Sequence, residues 1–277
     1  MNVQGGGMLI LKNVSKTFYQ GTVNEKCALQ NFSLTLKNGD FTTIVGGNGA
    51  GKSTLFHAVA GTFFVDRGLI FLDGGDITYR KEHVRSRHIG HLFQNPMRGT
   101  APNMTIEENM ALACLRATTS KNVYFSRIKE ADKKKFREQL ALLGMGLENR
   151  IKQPVGLLSG GQRQALTLLM ATVVTPKLLL LDEHTAALDP ETAEKVLSLT
   201  RQIVAERGIT CLMITHNMHQ ALAVGNRTLL MDEGSIVLDV EGEERDAMTV
   251  DALLEHFALR TGKEMDQDRM IFSAVAK

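Results

Sequence analysis

Apolar and polar positions change rhythm several times along this chain. Leu9-Ile-Leu11 and Phe32-Ser-Leu-Thr-Leu36 read as short strands separated by polar turns. Phe41-Thr-Thr-Ile-Val45 is a β-branched run, and Thr54-Leu-Phe-His-Ala-Val-Ala60, closed by Gly61, has a helical pattern. From about Gln94 to Leu157 helical spacing dominates. Thr105 and Glu108 form a capping-box pair ahead of Met110-Ala-Leu-Ala113, and Lys129 to Gly144 carries Phe136, Leu140 and Leu143 on one side. Lys133-Lys-Lys135 falls on the solvated face of that helix. Ser159 and Gln162 repeat the capping-box spacing before Ala165, Leu166, Leu168, Leu169 and Ala171, a buried helix. Leu178-Leu-Leu-Leu181 fits a strand covered on both faces of a parallel sheet. A helix from Pro190 to Gly208 is capped by Asp189, with proline at its first position. A strand over Ile209–Ile214, a hairpin around Asp232-Glu-Gly-Ser235 and a helix from Asp251 to Arg260 complete the reading.

Between the Phe41–Val45 run and the first helix lies Gly46-Gly47-Asn48-Gly49-Ala50-Gly51-Lys52-Ser53, followed by Thr54. This fits G-x-x-x-x-G-K-[ST] in its required strand–loop–helix setting. Glycines let backbone N–H groups turn inward around a polyphosphate, and the helix N-terminus adds partial positive charge. Lys52 then reaches the β- and γ-phosphates and Ser53 ligates Mg²⁺. Asp182-Glu183 ends the buried strand, where two carboxylates are costly unless they meet a metal or a water. Asp182 is placed to hold Mg²⁺ and Glu183 to polarise the attacking water. Leu158-Ser159-Gly160-Gly161-Gln162 is a second helix N-terminus with outward N–H groups.

These residues, in this order, resemble the ABC ATPases, the nucleotide-binding subunits of ATP-binding-cassette systems. The resemblance runs from about Met8 to Val240, and Leu158–Gln162 matches the family's signature. Gln94 in Leu92-Phe-Gln-Asn-Pro96 matches the Q-loop glutamine, His216 the switch histidine and Ala187-Leu-Asp189 the D-loop. Phe18 stands where the family stacks a ring on adenine, with Tyr19 as a competitor. The resemblance implies an α/β fold: a P-loop NTPase (RecA-like) core, an antiparallel β layer and a helical subdomain over about 94–164 carrying the signature. Residues 1–7 read as a flexible lead-in, 8–240 as the ATPase domain and 241–277 as a short charged extension.

The resemblance also implies a mechanism. One chain supplies Lys52, Ser53, Asp182, Glu183, Gln94 and His216, with Gln94 sharing the metal. A second copy, or a paralogous ATPase, supplies Ser159 and Gly161 head to tail, so that ATP is held between the two. His216 holds the γ-phosphate and the water that Glu183 orients. Such an ATPase drives separate permease subunits from the cytoplasmic face of the membrane, and an importer adds an extracytoplasmic solute-binding protein. The permease docks near Gln94, around Asn95 to Asn109.

Composition narrows the function classes. The net charge of +2 gives no strong pull toward nucleic acid. No run reaches the roughly 18–20 apolar residues that cross a bilayer. Cys27, Cys114 and Cys211 have no metal-binding spacing and suit a reduced compartment. A chromosome or DNA-repair ATPase would insert a long coiled coil between phosphate loop and signature, and no sustained heptads occur there. A soluble, non-transport ABC ATPase and an exporter remain alternatives to import. His184 stands where the family has proline after the Walker B glutamate. It either titrates near the reacting water or replaces proline in packing. Asp182-Glu-His-Thr-Ala-Ala-Leu-Asp-Pro190 is similar to a group of bacterial importer ATPases. Their permeases resemble branched-chain amino-acid permeases, and their binding proteins are linked to aromatic amino acids.

Overall fold

The computed structural model describes residues 7–116 and 128–261. Residues 1–6 of the expected lead-in and 262–277 of the expected extension lie outside the described residues. Residues 9–36 form two long strands, β1 (Leu9–Phe18) and β2 (Lys26–Leu36), rather than several short ones. Their pairing is antiparallel with register shifts near Val14 and Lys16. Those irregularities break the strict alternation, which is why the pattern reads as shorter pieces.

Next come β3 (Phe41–Gly46), α1 (Lys52–Ala60), β4 (Arg67–Leu72), β5 (Gly75–Asp76), α2 (Glu82–Arg85) and β6 (Ile89–Leu92). β4 and β5 meet at Asp73-Gly74, both with positive φ, a dipeptide suited to a tight hairpin. Then follow α3 (Ile106–Leu115), α4 (Glu130–Ala141), α5 (Gly160–Thr172), β7 (Leu178–Asp182), α6 (Pro190–Arg207), β8 (Thr210–Ile214) and α7 (Met218–Ala223). The chain closes with β9 (Arg227–Asp232), β10 (Ser235–Glu241), α8 (Gly242–Asp246) and α9 (Val250–Thr261).

β2-β1-β4-β5 make an antiparallel sheet; β10-β9-β3-β8-β7-β6 make the other, parallel throughout except at the β10 edge. One apolar cluster joins the two sheets through Leu9, Leu29, Phe56 and Ile214. A separate cluster binds α3, α4 and α5 through Ile106, Met110, Phe136, Leu140 and Leu166. The segment after β10 is more than a charged tail: Leu253 and Phe257 of α9 are buried against Val45, Met218 and Leu230.

Two arginines hold this frame from inside. Arg85 is 1% exposed, and its guanidinium donates to Ala58 O (2.7 Å), Val59 O (2.9 Å), Thr78 O (2.9 Å) and Arg80 O (2.7 Å). The first two are carbonyls in the last turn of α1, which have no partner inside the helix. Burial lowers the Arg85 guanidinium to about 10, so it stays charged at neutral pH. Arg245 of α8 plays a similar part, donating to Thr228 Oγ1, Ala221 O and Leu222 O.

Candidate functional site

Parallel strands bring their C-terminal ends to one edge, where open α/β sheets bind ligands. Leu92, Leu181, Met213 and Thr43 are register partners across β6, β7, β8 and β3. The residues just beyond that row therefore emerge together: Gln94 after β6, Asp182 and Glu183 at β7, His216 after β8, and the glycine loop at the end of β3. Sequence distance between them is large, but the register makes them neighbours.

The loop from Gly46 to Gly51 wraps the N-terminus of α1. Gly51 has φ 98°, and a Cβ there would lie 2.5 Å from Ala28 O, so no other residue fits. Lys52 is buried, and its amine donates to Gly46 O (2.7 Å) and Gly47 O (2.9 Å). Burial lowers its pKa, while Glu183 and Asp182 pull it back up. A cavity of about 360 Å³ opens here, lined by Phe18, Asn48, Gly49, Ser53, Glu183 and His216 among others. Phe18 packs edge-on to Phe63 at 5.4 Å. Tyr19 is 72% exposed and does not line the cavity, which leaves Phe18 as the ring at its rim.

Glu183 is the junction of the site. Its backbone has φ 46°, a left-handed conformation that costs a non-glycine residue about 1 kcal/mol or more. It is fixed by Glu183 N–H to Ile214 O (3.0 Å) and Ala186 N–H to Glu183 O (3.0 Å). Gln94 Nε2 donates to one carboxylate oxygen at 2.9 Å, and His216 Nε2 meets the other at 2.5 Å. Gln94 and His216 thus converge on Glu183, which lines the cavity together with His216 and the glycine loop. Beside them, Asp182 is pushed up to about 6, first by burial and then by the charge of Glu183, with Lys52 opposing.

His184 turns away from this cluster. It is 3% exposed, and its Nε2 lies 3.2 Å from Thr200 Oγ1 on α6. The Thr200 hydroxyl donates to Val196 O, so it accepts from the imidazole. Burial lowers His184 to about 4, leaving it neutral and in packing contact with α6. Of the two readings of His184, the geometry favours packing.

Leu158 to Gln162 stands apart from the cavity. Ser159 caps α5, its Oγ accepting from Gln162 N–H at 3.2 Å while Gln162 Oε1 accepts from Ser159 N–H at 3.2 Å. A Cβ on Gly161 would fall 2.1 Å from Thr192 Cγ2 of α6, so the signature turn is packed directly on the helix capped by Asp189. Asp189 Oδ1 accepts from Thr192 N–H at 3.0 Å. Neither Ser159 nor Asp189 lines the cavity formed by Lys52 and Glu183.

The sequence profile of the ABC transporter family matches residues 29–186, more than half of the chain. The chain belongs to the ABC transporter family. It is an ATP-binding cassette of the P-loop NTPase fold, an ATPase subunit of the ABC transporter class. A tyrosine transport ATP-binding protein of Clostridioides difficile is 39% identical over 250 residues, spanning 90% of this chain and 98% of that protein. A spermidine/putrescine import ATP-binding protein of Pasteurella multocida is 33% identical over 86% of this chain, and a methionine import ATP-binding protein of Rhizobium johnstonii 38% identical over 76%. The cassette spans only 59% and 56% of those two longer proteins. A dimeric cassette bound to ADP and Pi in a post-hydrolysis state superposes with TM-score 0.72 at 28% identity, covering 84% of this chain and 98% of that one. No described helix is long and apolar enough to cross a membrane.

A second cavity, about 460 Å³, lies beside the cassette's Q-loop, between α3, α5 and β6, and includes Arg98, Thr100, Asn109 and His91. His91 packs on Phe93 with tilted rings 4.2 Å apart, and its buried Nε2 has no hydrogen-bond partner among the described residues. Burial, with help from His57 and Arg98, lowers it to about 4. The folded cassette therefore prefers neutral His91. The stability this contributes is full above the ordinary value of 6.5 and is lost as pH falls toward 4, because the unfolded chain protonates first. Between about pH 7.5 and about pH 5 the wild type should lose about 1–2 kcal/mol more than His91→Phe. Urea unfolding of both at the two pH values tests this; equal losses would show that His91 titrates normally.

Proposed function

We propose that this cassette powers an importer of amino acids of the aromatic class. The near full-length alignment with a tyrosine transport ATP-binding protein carries that reading, and it agrees with the Asp182–Pro190 sequence pattern. Residues 8–240 form the ATPase domain, with 94–164 as its helical subdomain. Phe18 stacks on adenine. Gly46 to Thr54 cradles the phosphates, and Lys52 leaves the loop carbonyls to reach the β- and γ-phosphates. Glu183 orients the attacking water, with Gln94 and His216 holding it and the γ-phosphate in place. Ser159 and Gly161 reach the γ-phosphate of the nucleotide bound to the second copy, and Asp189 lies at that interface. Their distance from the chain's own cavity supports a role in trans.

Mg²⁺ fits the donor set. Ser53, Asp182 and Gln94 offer hard oxygens, and a carboxylate raised by burial gains from a cation. When bound, such an ion neutralises charge on the transferred phosphoryl group. The permease docks in the cavity beside Gln94, so that movement of Gln94 couples it to Glu183. The cassette works at the cytoplasmic face of the membrane, with a solute-binding protein on the other side.

The test is affinity capture from detergent-solubilised membranes, followed by reconstitution. A permease and a binding protein should be recovered, and tyrosine or phenylalanine should stimulate ATP hydrolysis. Recovery of a permease alone would favour export. Recovery of soluble assemblies alone would overturn the transport reading of this chain.

A further inference from the structure

Lys26 has no assigned role, yet it stands at the nucleotide cavity. It pairs directly with Phe18 across β1 and β2. Directly opposed residues of an antiparallel pair project from the same face. Ring and amine therefore lean into one space, and both line the cavity that holds the glycine loop. A Cβ placed on Gly49 would lie 3.3 Å from Lys26 Nζ. That puts the amine over the middle of the phosphate loop. Lys52, by contrast, sits at its base, bonded to Gly46 O and Gly47 O.

The position is fixed by packing. Gly51 lies against Ala28 O, two residues along β2 from Lys26, so the strand is pressed onto the loop. Among the described residues no ion pair engages Lys26. An ammonium group beside a loop of inward-facing N–H donors is positive charge on positive charge. An anion between them relieves both.

A nucleotide with its base on Phe18 and its terminal phosphates in the loop must run its α-phosphate past Lys26. We propose that Lys26 is a second phosphate-binding lysine, closing on the α-phosphate of the nucleotide from the β-layer side. Lys52 reads the far end of the polyphosphate and Lys26 the near end. Lys26 thereby selects for nucleoside phosphates over unphosphorylated nucleosides, without sensing the γ-phosphate.

The experiment is calorimetric titration of AMP, ADP and ATP into the full-length wild type, Lys26→Met and Lys26→Arg at low salt. ATP is titrated on a Glu183→Gln background to prevent turnover. Lys26 is exposed at the end of a strand, and Lys26→Met keeps the aliphatic stem, so the variant should melt like the wild type. Lys26→Met should weaken all three nucleotides by a similar factor, roughly 5- to 20-fold, and flatten the salt dependence of binding. Lys26→Arg should stay within about twofold of wild type. Unchanged affinities would overturn the proposal. So would a loss confined to ATP, which would put Lys26 at the γ-phosphate. Equal losses in Lys26→Arg and Lys26→Met would mean that charge is not what binds.

Discussion

Glu183→Gln should lower the ATP hydrolysis rate by at least about 100-fold while ATP binding survives. Three observations set that expectation. Glu183 lines the cavity together with Lys52 and the glycine loop, its backbone is held in a strained conformation, and its two oxygens already gather Gln94 and His216. Glutamine keeps the shape and the acceptor for Gln94 but cannot take a proton from water. Phe18 and the glycine loop, to which binding is assigned in the proposed function, are untouched. Binding should therefore persist, and ATP should hold two copies together for longer than in the wild type. Single-turnover hydrolysis and size-exclusion chromatography with ATP read the two effects separately. A variant hydrolysing ATP at the wild-type rate would remove Glu183 from the role proposed for it.

Arg85→Met should cost the fold about 3–5 kcal/mol, a fall in melting temperature on the order of 10 °C. The guanidinium makes four hydrogen bonds to backbone carbonyls in α1 and in the segment preceding α2, three of them buried. Methionine fills much of the volume but leaves those acceptors without donors. Lysine would restore charge but not the planar fork, so Arg85→Lys should recover less than half of the loss. Because Ala58 and Val59 belong to the helix that begins at Lys52, nucleotide affinity should fall with stability. Thermal unfolding with and without ADP measures both. A melting temperature within about 2 °C of wild type would show that water or a neighbour satisfies those carbonyls.

The phosphate loop, the Asp182-Glu183 pair and both capping boxes were legible in the sequence because each depends on local spacing alone. The α1 loop needs glycines next to lysine and serine, and a capping box needs partners three residues apart. The helices Pro190–Arg207 and Val250–Thr261 were legible for the same reason, since each has a cap or a periodic apolar face. The short strands β4 and β6 were not read in advance, although Asp73-Gly74 marked the turn after β4. Their identity depends on what covers them.

Tertiary structure alone decided everything that required two distant segments. Parallel register brought Gln94, Glu183 and His216 together. Strand pairing put Phe18 at the cavity rim and left Tyr19 in solvent. Burial turned His184 toward Thr200 and made Arg85 an internal clamp, and cross-strand opposition set Lys26 over the loop. The physical reason is one of range. Backbone hydrogen bonds, caps and glycine conformations are settled within a few residues, whereas side-chain contacts across a sheet depend on which strands lie side by side. The sequence determined which phosphate chemistry this chain can carry; the sheet order determined which side chains meet to perform it.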